Sequence, residues 1–125
     1  MSVAQDLEAR RVRAAKNQSL FREVNERIEQ LAAGKPGSTF KEMRLAMQID
    51  LACECMDESC AKEVTMTVEQ YEAIRAESNS FFVIPGHEVS DVEEIGHRGA
   101  KYVVVRKLGS GAAVAEKFDP RKRMR

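Results

Sequence analysis

The chain has 125 residues, with 20 Lys/Arg balanced by 20 Asp/Glu, 43% hydrophobic residues and no tryptophan. That is enough for one domain with a modest core. No stretch approaches the roughly 20 apolar residues of a membrane span, and the opening "MSVAQDLEARRVRAAK" carries no apolar run of the signal-peptide kind. These features exclude a membrane protein and point to the cytoplasm, where thiols stay reduced.

Neutrality hides a division. Residues 1–40 hold seven Lys/Arg against five Asp/Glu, a sum of +2. Residues 41–100 hold five against thirteen, a sum of −8, and residues 101–125 hold eight against two, a sum of +6. An acidic middle repels phosphates, so contact with nucleic acid is expected only from the termini.

In chain order, residues 3–33 read as one long helix, since no Gly or Pro occurs before Gly34. Leu20, Phe21, Val24, Ile28 and Leu31 recur at helical spacing and predict a docked stripe. Upstream the stripe weakens. Residues 1–17 therefore read as a basic arm offering Arg10, Arg11, Arg13 and Lys16 to a partner. "GKPGS" at 34–38 predicts a loop. Thr39 and Glu42 fit a capping box, while alternation from Met43 to Cys53 fits a strand. The strand is expected from 47 to 53, with the part before it open between helix and strand.

A second short strand is expected at "KEVTMT", then a helix opened by a Thr67/Gln70 capping box, with Val68, Tyr71 and Ile74 buried. "FFVI" at 81–84 reads as a buried strand, "PGHE" as a turn and residues 88–96 as an acidic helical turn. "KYVVVRK" at 101–107 is the clearest strand. "AAVAEKF" reads as a last edge strand, and residues 119–125 as a basic tail. Connections this short suit a small, mostly antiparallel α+β domain over residues 18–118.

All three cysteines fall within "CECMDESC", residues 53–60. Residues two apart in an extended strand point to one side, so Cys53 and Cys55 face together, and "MDES" lets Cys60 return to them. Zinc accepts such thiolates and prefers four ligands in a tetrahedron. The fourth donor expected is His87, presented by the Pro85–Gly86 turn. Asp57 is the weaker substitute, and His97 sits in a Gly-flanked loop. A disulfide from Cys60, a soft metal such as copper(I), or three unrelated small side chains are the competing explanations. A zinc knuckle of this kind would stabilise the whole α+β domain.

"LFREVNERIEQL", "CECMDESC", "VTMTVEQYEAIRAESNSFFVIPGHE", "YVVVRK" and "FDPRKR" together resemble a group of small, uncharacterised actinobacterial proteins. The resemblance runs from about residue 18 to 123. "MTVEQYEAI" departs mildly from the group's LT-x-x-EYE-x-V pattern. The resemblance implies a bacterial cytosolic protein and carries no activity with it.

The remaining motifs are bland. Glu93–Glu94 and Asp57–Glu58 read as solvated acids, "GSG" lacks the lysine of a phosphate loop, and no serine has a nucleophile-elbow context. The expectation is a non-enzymatic, zinc-stabilised regulatory or adaptor protein. Its partner would be a larger cytosolic protein, such as the transcription or translation machinery. One alternative is a redox- or zinc-sensing thiol switch. Others are an enzyme with an open metal site and a nucleic-acid binder using the basic termini, with Arg121, Lys122 and Arg123 at the far end.

Overall fold

The computed structural model describes residues 2–33 and 40–123. The expected 34–38 loop and Thr39 lie outside them. Helix α1 (Val3–Ala33) runs 31 residues, about 46 Å at 1.5 Å per residue. It opens with a capping box. The Ser2 hydroxyl accepts from the Gln5 N–H, and the Gln5 side chain accepts from the Ser2 N–H. The segment left open between helix and strand is helix α2 (Lys41–Ala46).

Strands β1 (Gln48–Ala52) and β2 (Glu63–Thr67) pair antiparallel, with Ile49 opposite Met66 and Leu51 opposite Val64. Their period-two alternation puts these four apolar side chains inside. Thr67 and Gln70 form the expected capping box for helix α3 (Val68–Arg75), which buries Val68, Tyr71 and Ile74. Strands β3 (Ser80–Val83), β4 (Glu93–Arg98) and β5 (Val103–Lys107) form a second antiparallel sheet in the order β3-β5-β4. Helices α4 (Ser110–Lys117) and α5 (Pro120–Arg123) close the fold.

Strand β3 divides the core. Phe82 packs with Ile49, Leu51, Met66 and Tyr71 on one face. Phe81 and Val83 pack with Val103, Val105, Ala115, Cys53 and Cys55 on the other. The molecule is α+β, as expected, but three local expectations change. Residues 93–98 form an edge strand in place of the acidic helical turn, with a bulge between Ile95 and His97. "AAVAEKF" belongs to α4, because Gly111 and Ala115 are small enough for that helix to lie against α1. A Cβ on Gly111 would meet the Arg11 carbonyl at 3.1 Å. Residues 120–123, read as tail, form α5.

The largest corrections concern α1. Its first half is docked rather than a solvated arm. Ala14 and Ala15 are fully buried, and the Glu8 carboxylate accepts from both the N–H and the hydroxyl of Ser110. Arg10 pairs with Asp91 at 2.9 Å, and Arg11 donates to the Asp91 carbonyl. Of the apolar stripe, Phe21 and Ile28 are half-buried, Ile28 against the core, while the other three residues face outward. Leu20, Val24 and Leu31 are 63%, 49% and 89% exposed. The helix buries Gln18, Arg22, Asn25, Glu26 and Glu29 instead. The reason is hydrogen bonding. The helix crosses backbone groups that strand pairing leaves over, and polar side chains satisfy them. Arg22 donates to the carbonyls of Ser78 and Ala115 while stacking 4.3 Å from the Phe81 ring centroid.

Apart from Arg22, ionic groups on this face are paired. Arg75 bridges Glu26 and Asp119, and Arg121 donates to Glu26 and to both oxygens of Glu72. Lys107 is held by Gln18 and Glu93. Glu29 is the strained member. Burial first, and the adjacent Glu72 carboxylate second, push its pKa up to about 8, while Arg121 pulls the other way. Its folded pKa thus exceeds its unfolded value. The associated stability is fully present below the unfolded pKa and is lost as pH rises toward 8. Replacing Glu29 with Gln should remove this loss. Urea midpoints across pH 5–9 should show the variant gaining on the wild type as pH rises, and a constant difference would contradict the assignment.

Candidate metal centre

Cys53, Cys55, Cys60 and His87 converge. One ligand atom from each lies within 4.8 Å of all the others. Three local structures bring them there. Cys53 continues β1 by one more rung, its N–H donating to the Lys62 carbonyl. Cys60 closes a turn in which its N–H donates to the Asp57 carbonyl. His87 sits in the turn after β3, its N–H donating to the Ile84 carbonyl at 2.8 Å, with Gly86 at φ 95°. That left-handed backbone is open to glycine at little cost. The Glu88 carboxylate fixes the same turn by accepting from the Gly86 N–H.

The geometry fits a metal. His87 Nδ1 is 3.6 Å from Cys53 Sγ and 3.7 Å from Cys60 Sγ. A tetrahedral zinc with ordinary Zn–S and Zn–N bonds would set sulfur–nitrogen edges of about 3.5 Å. Burial pushes the thiols of Cys53 and Cys55 up, a shift that a bound cation would oppose. The Ile84 N–H donates to Cys53 Sγ at 3.2 Å, a bond that a thiolate accepts well and that orients this ligand. The three cysteines are free, so none is held in a disulfide.

The two weaker donors are elsewhere. The Asp57 carboxylate accepts from the Ser59 N–H and hydroxyl, which shapes the turn and lowers its pKa. His97 lies on β4, opposite Val104. The partner-binding candidates divide as well. Arg10 and Arg11 hold α1 to Asp91, and Arg121 is committed to Glu26 and Glu72. Lys122 pairs with Glu116, whereas Arg13 and Lys16 are exposed. The side chain of Arg123 lies outside the described residues.

Sequence reasoning missed the residues behind the ligands. Glu54, between Cys53 and Cys55, is fully buried, and burial pushes its pKa up to about 7. Its backbone N–H donates to the Phe82 carbonyl at 3.0 Å, joining the first sheet to the second. Its carboxylate accepts from the Phe82 N–H and from Asn25 Nδ2. Asn25 also donates to the Ala52 carbonyl and accepts from the Ala52 N–H, both at 2.8 Å. Gln18 donates to the Glu54 carbonyl at 2.8 Å. The only hint in the sequence was polar residues spaced along α1 at helical intervals, and a hydrophobicity pattern discounts those.

Truncating Asn25 to Ala would strip three bonds and leave buried groups of Ala52 and Glu54 unpaired, a loss of about 2–3 kcal/mol. Chemical denaturation should show it, together with weaker retention of metal. A change below about 0.5 kcal/mol would mean that Asn25 does not support the centre. In comparisons with protein-family models, curated proteins and solved structures, the chain finds no match, so the functional reading rests on this geometry.

Proposed function

We propose that the chain is a non-enzymatic, zinc-stabilised protein that serves as a regulatory or adaptor module for a larger cytoplasmic protein. The convergence of four ligand atoms within 4.8 Å carries this reading. Three thiolates and one imidazole are the donor set of a closed structural zinc site, in which the protein fills every position. When bound, zinc would supply cross-linking and charge neutralisation. The protein's own contribution is to hold Cys53 through the Ile84 N–H and to fix the His87 turn through Glu88. Such binding is worth roughly 10–16 kcal/mol near neutral pH, against a domain stability of about 5–15 kcal/mol. Metal would therefore decide whether residues 53–87 hold their fold.

A non-enzymatic role is supported by how the buried acids and the largest-volume cavity described are used. Among the described residues, Glu93 is paired with Lys107, and Asp119 with Arg75, so these buried acids are committed to structure. A cavity of about 570 Å³ shares no residue with the cluster and is lined by ions that pair with one another, such as Lys122 with Glu116. No described helix is long and apolar enough to cross a membrane. The resemblance to small actinobacterial proteins supports a bacterial setting, and the exposed α1 surface supports a protein partner, such as the transcription or translation machinery.

One observation favours a second reading, a thiol switch. Cys60 and His87 are half-buried whereas Cys53 and Cys55 are buried, so Cys60 is the least buried of the three cysteines. Peroxide would oxidise Cys60 and Cys55 to a disulfide, itself leaving as water, and two ligands would be lost.

Elemental analysis of protein purified under reducing conditions, without added metal, should find one zinc per chain. Cys60→Ser should lose the metal and melt roughly 10 °C lower or more, as expected for a lost structural metal in a small domain. Metal-free protein with the same melting temperature as the purified form would overturn the reading. Zinc release on mild peroxide treatment, reversed by reductant, would select the switch over the purely structural site.

A further inference from the structure

The outward face of α1 has the chemistry of a helix–helix seam. Ala15, Arg22 and Glu29, seven residues apart, are buried against the protein's own body. The opposite side of the helix carries Leu20, Val24, Arg27 and Leu31, spaced four, three and four, which is the repeat of a coiled-coil seam. All four are exposed. Beside Leu20 a shallow cavity of about 290 Å³, lined by Lys16, Ser19, Leu20, Glu23 and Phe118, widens the apolar strip toward the end of α4. A side chain of leucine size from a facing helix would fit there. An apolar strip rimmed by charge on a small protein marks an interaction surface.

The charges say what covers it. Arg13, Lys16 and Arg27 are exposed on this same side, interleaved with Leu20, Val24 and Leu31. From residue 13 to residue 32, none of the exposed residues of α1 is acidic. The strip's three exposed cations outnumber the one half-buried acid that lines its cavity, Glu23, so a second copy would set a net positive surface against another, which disfavours a helix pair of like with like. A nucleic-acid strand would satisfy the three cations but leave the apolar side chains against phosphate and sugar. The surface that answers both features is an amphipathic helix with leucine-type residues along its seam and Asp or Glu on its flanks.

We propose that this face of α1 docks an acidic amphipathic helix of another protein. The inference rests on the adaptor reading and names the chemistry of its partner. It does not depend on the zinc reading, because none of the strip's residues belongs to the cysteine cluster.

The probe is a synthetic, fluorescently labelled peptide of about 20 residues, a length that covers the strip. It carries Leu at coiled-coil spacing and Glu on the flanks. Titrated with the full chain at low salt, it should bind with a Kd of roughly 1–100 μM. A scrambled peptide of the same composition should bind at least about tenfold more weakly. Leu20→Ser should weaken binding about tenfold and leave the far-ultraviolet circular dichroism spectrum unchanged, since the substitution is on the exposed side. Lys16→Glu combined with Arg27→Glu should weaken it by a similar factor and create binding to a peptide with Lys in place of Glu.

A wild-type chain blind to the acidic peptide would overturn the proposal, and so would binding indifferent to Leu20→Ser. Tighter binding to single-stranded RNA, lost with Lys16 and Arg27 but not with Leu20, would overturn it in favour of nucleic acid. A Leu20-dependent dimer in sedimentation velocity that excludes the peptide would overturn it in favour of a second copy. Zinc content, measured on the same preparation, separates the two readings. Peptide binding by a chain that never held zinc would support the docking face while overturning the metal centre. A zinc-loaded, peptide-blind chain would overturn the docking face alone.

Discussion

The architecture turns on one junction, where the strand carrying the cysteines meets β3. Each sheet is small, one of two strands and one of three, and neither has a core sufficient for itself. They become one body through Glu54, whose N–H donates to Phe82 and whose carboxylate accepts from the same residue. A metal bound by the ligands on either side of Glu54 would tie β1 to the turn after β3, closing a span of 34 residues between Cys53 and His87. A metal there would act on the same seam as the backbone pairing of Glu54 with Phe82. A cross-link at that point restricts the unfolded chain and also holds Phe81 and Phe82 between the two halves of the core.

Helix α1 completes the junction from outside, and its unusual burial follows from that task. Apolar side chains suffice to cover a flat apolar sheet face. Here α1 passes over the end of β1, where Ala52 and Glu54 present backbone groups that no neighbouring strand takes up. Asn25 binds Ala52 through both its donor and its acceptor, much as a paired strand would. Every such bond must be made if burial is not to be a net cost. The gain is specificity, since a helix held by directed bonds has one register, whereas an apolar stripe tolerates sliding. The salt-bridged group of Arg75, Arg121, Glu26 and Asp119 extends the same logic to α3 and α5.

What the sequence disclosed follows from this division of labour. The first-sheet strands and the capping box at Thr67 were legible because local rules govern them: period-two alternation in one case, a fixed spacing of hydroxyl and amide in the other. The four-ligand cluster was legible because thiols and an imidazole have few other reasons to gather. The buried face of α1 was not legible, because hydrophobic periodicity assigns Leu20, Val24 and Leu31 to the inside and cannot see the carbonyls of Ala52 and Ser78 awaiting donors. The α4 helix was hidden for a related reason. Gly111 and Ala115 look uninformative until α1 is placed beside them at the distance only small residues permit. Glu93–Glu94 misled in the opposite direction: one of the two is the buried partner of Lys107, the other an exposed edge residue.

The two surfaces of α1 bear on each other. A helix that buries polar groups inward and leaves its apolar repeat outward is poorly suited to folding alone, because its inward face gains nothing until Glu54 and Ala52 are in position. Those groups are in position only when the two sheets are joined, and the cysteine cluster sits where they join. The outward strip lies on the same turns of α1 whose inward side chains reach Ala52 and Glu54. The chain of contacts is short: Cys53 adjoins Glu54, Glu54 is bound by Gln18 and Asn25, and these sit on the turns of α1 that carry Leu20 and Val24 outward.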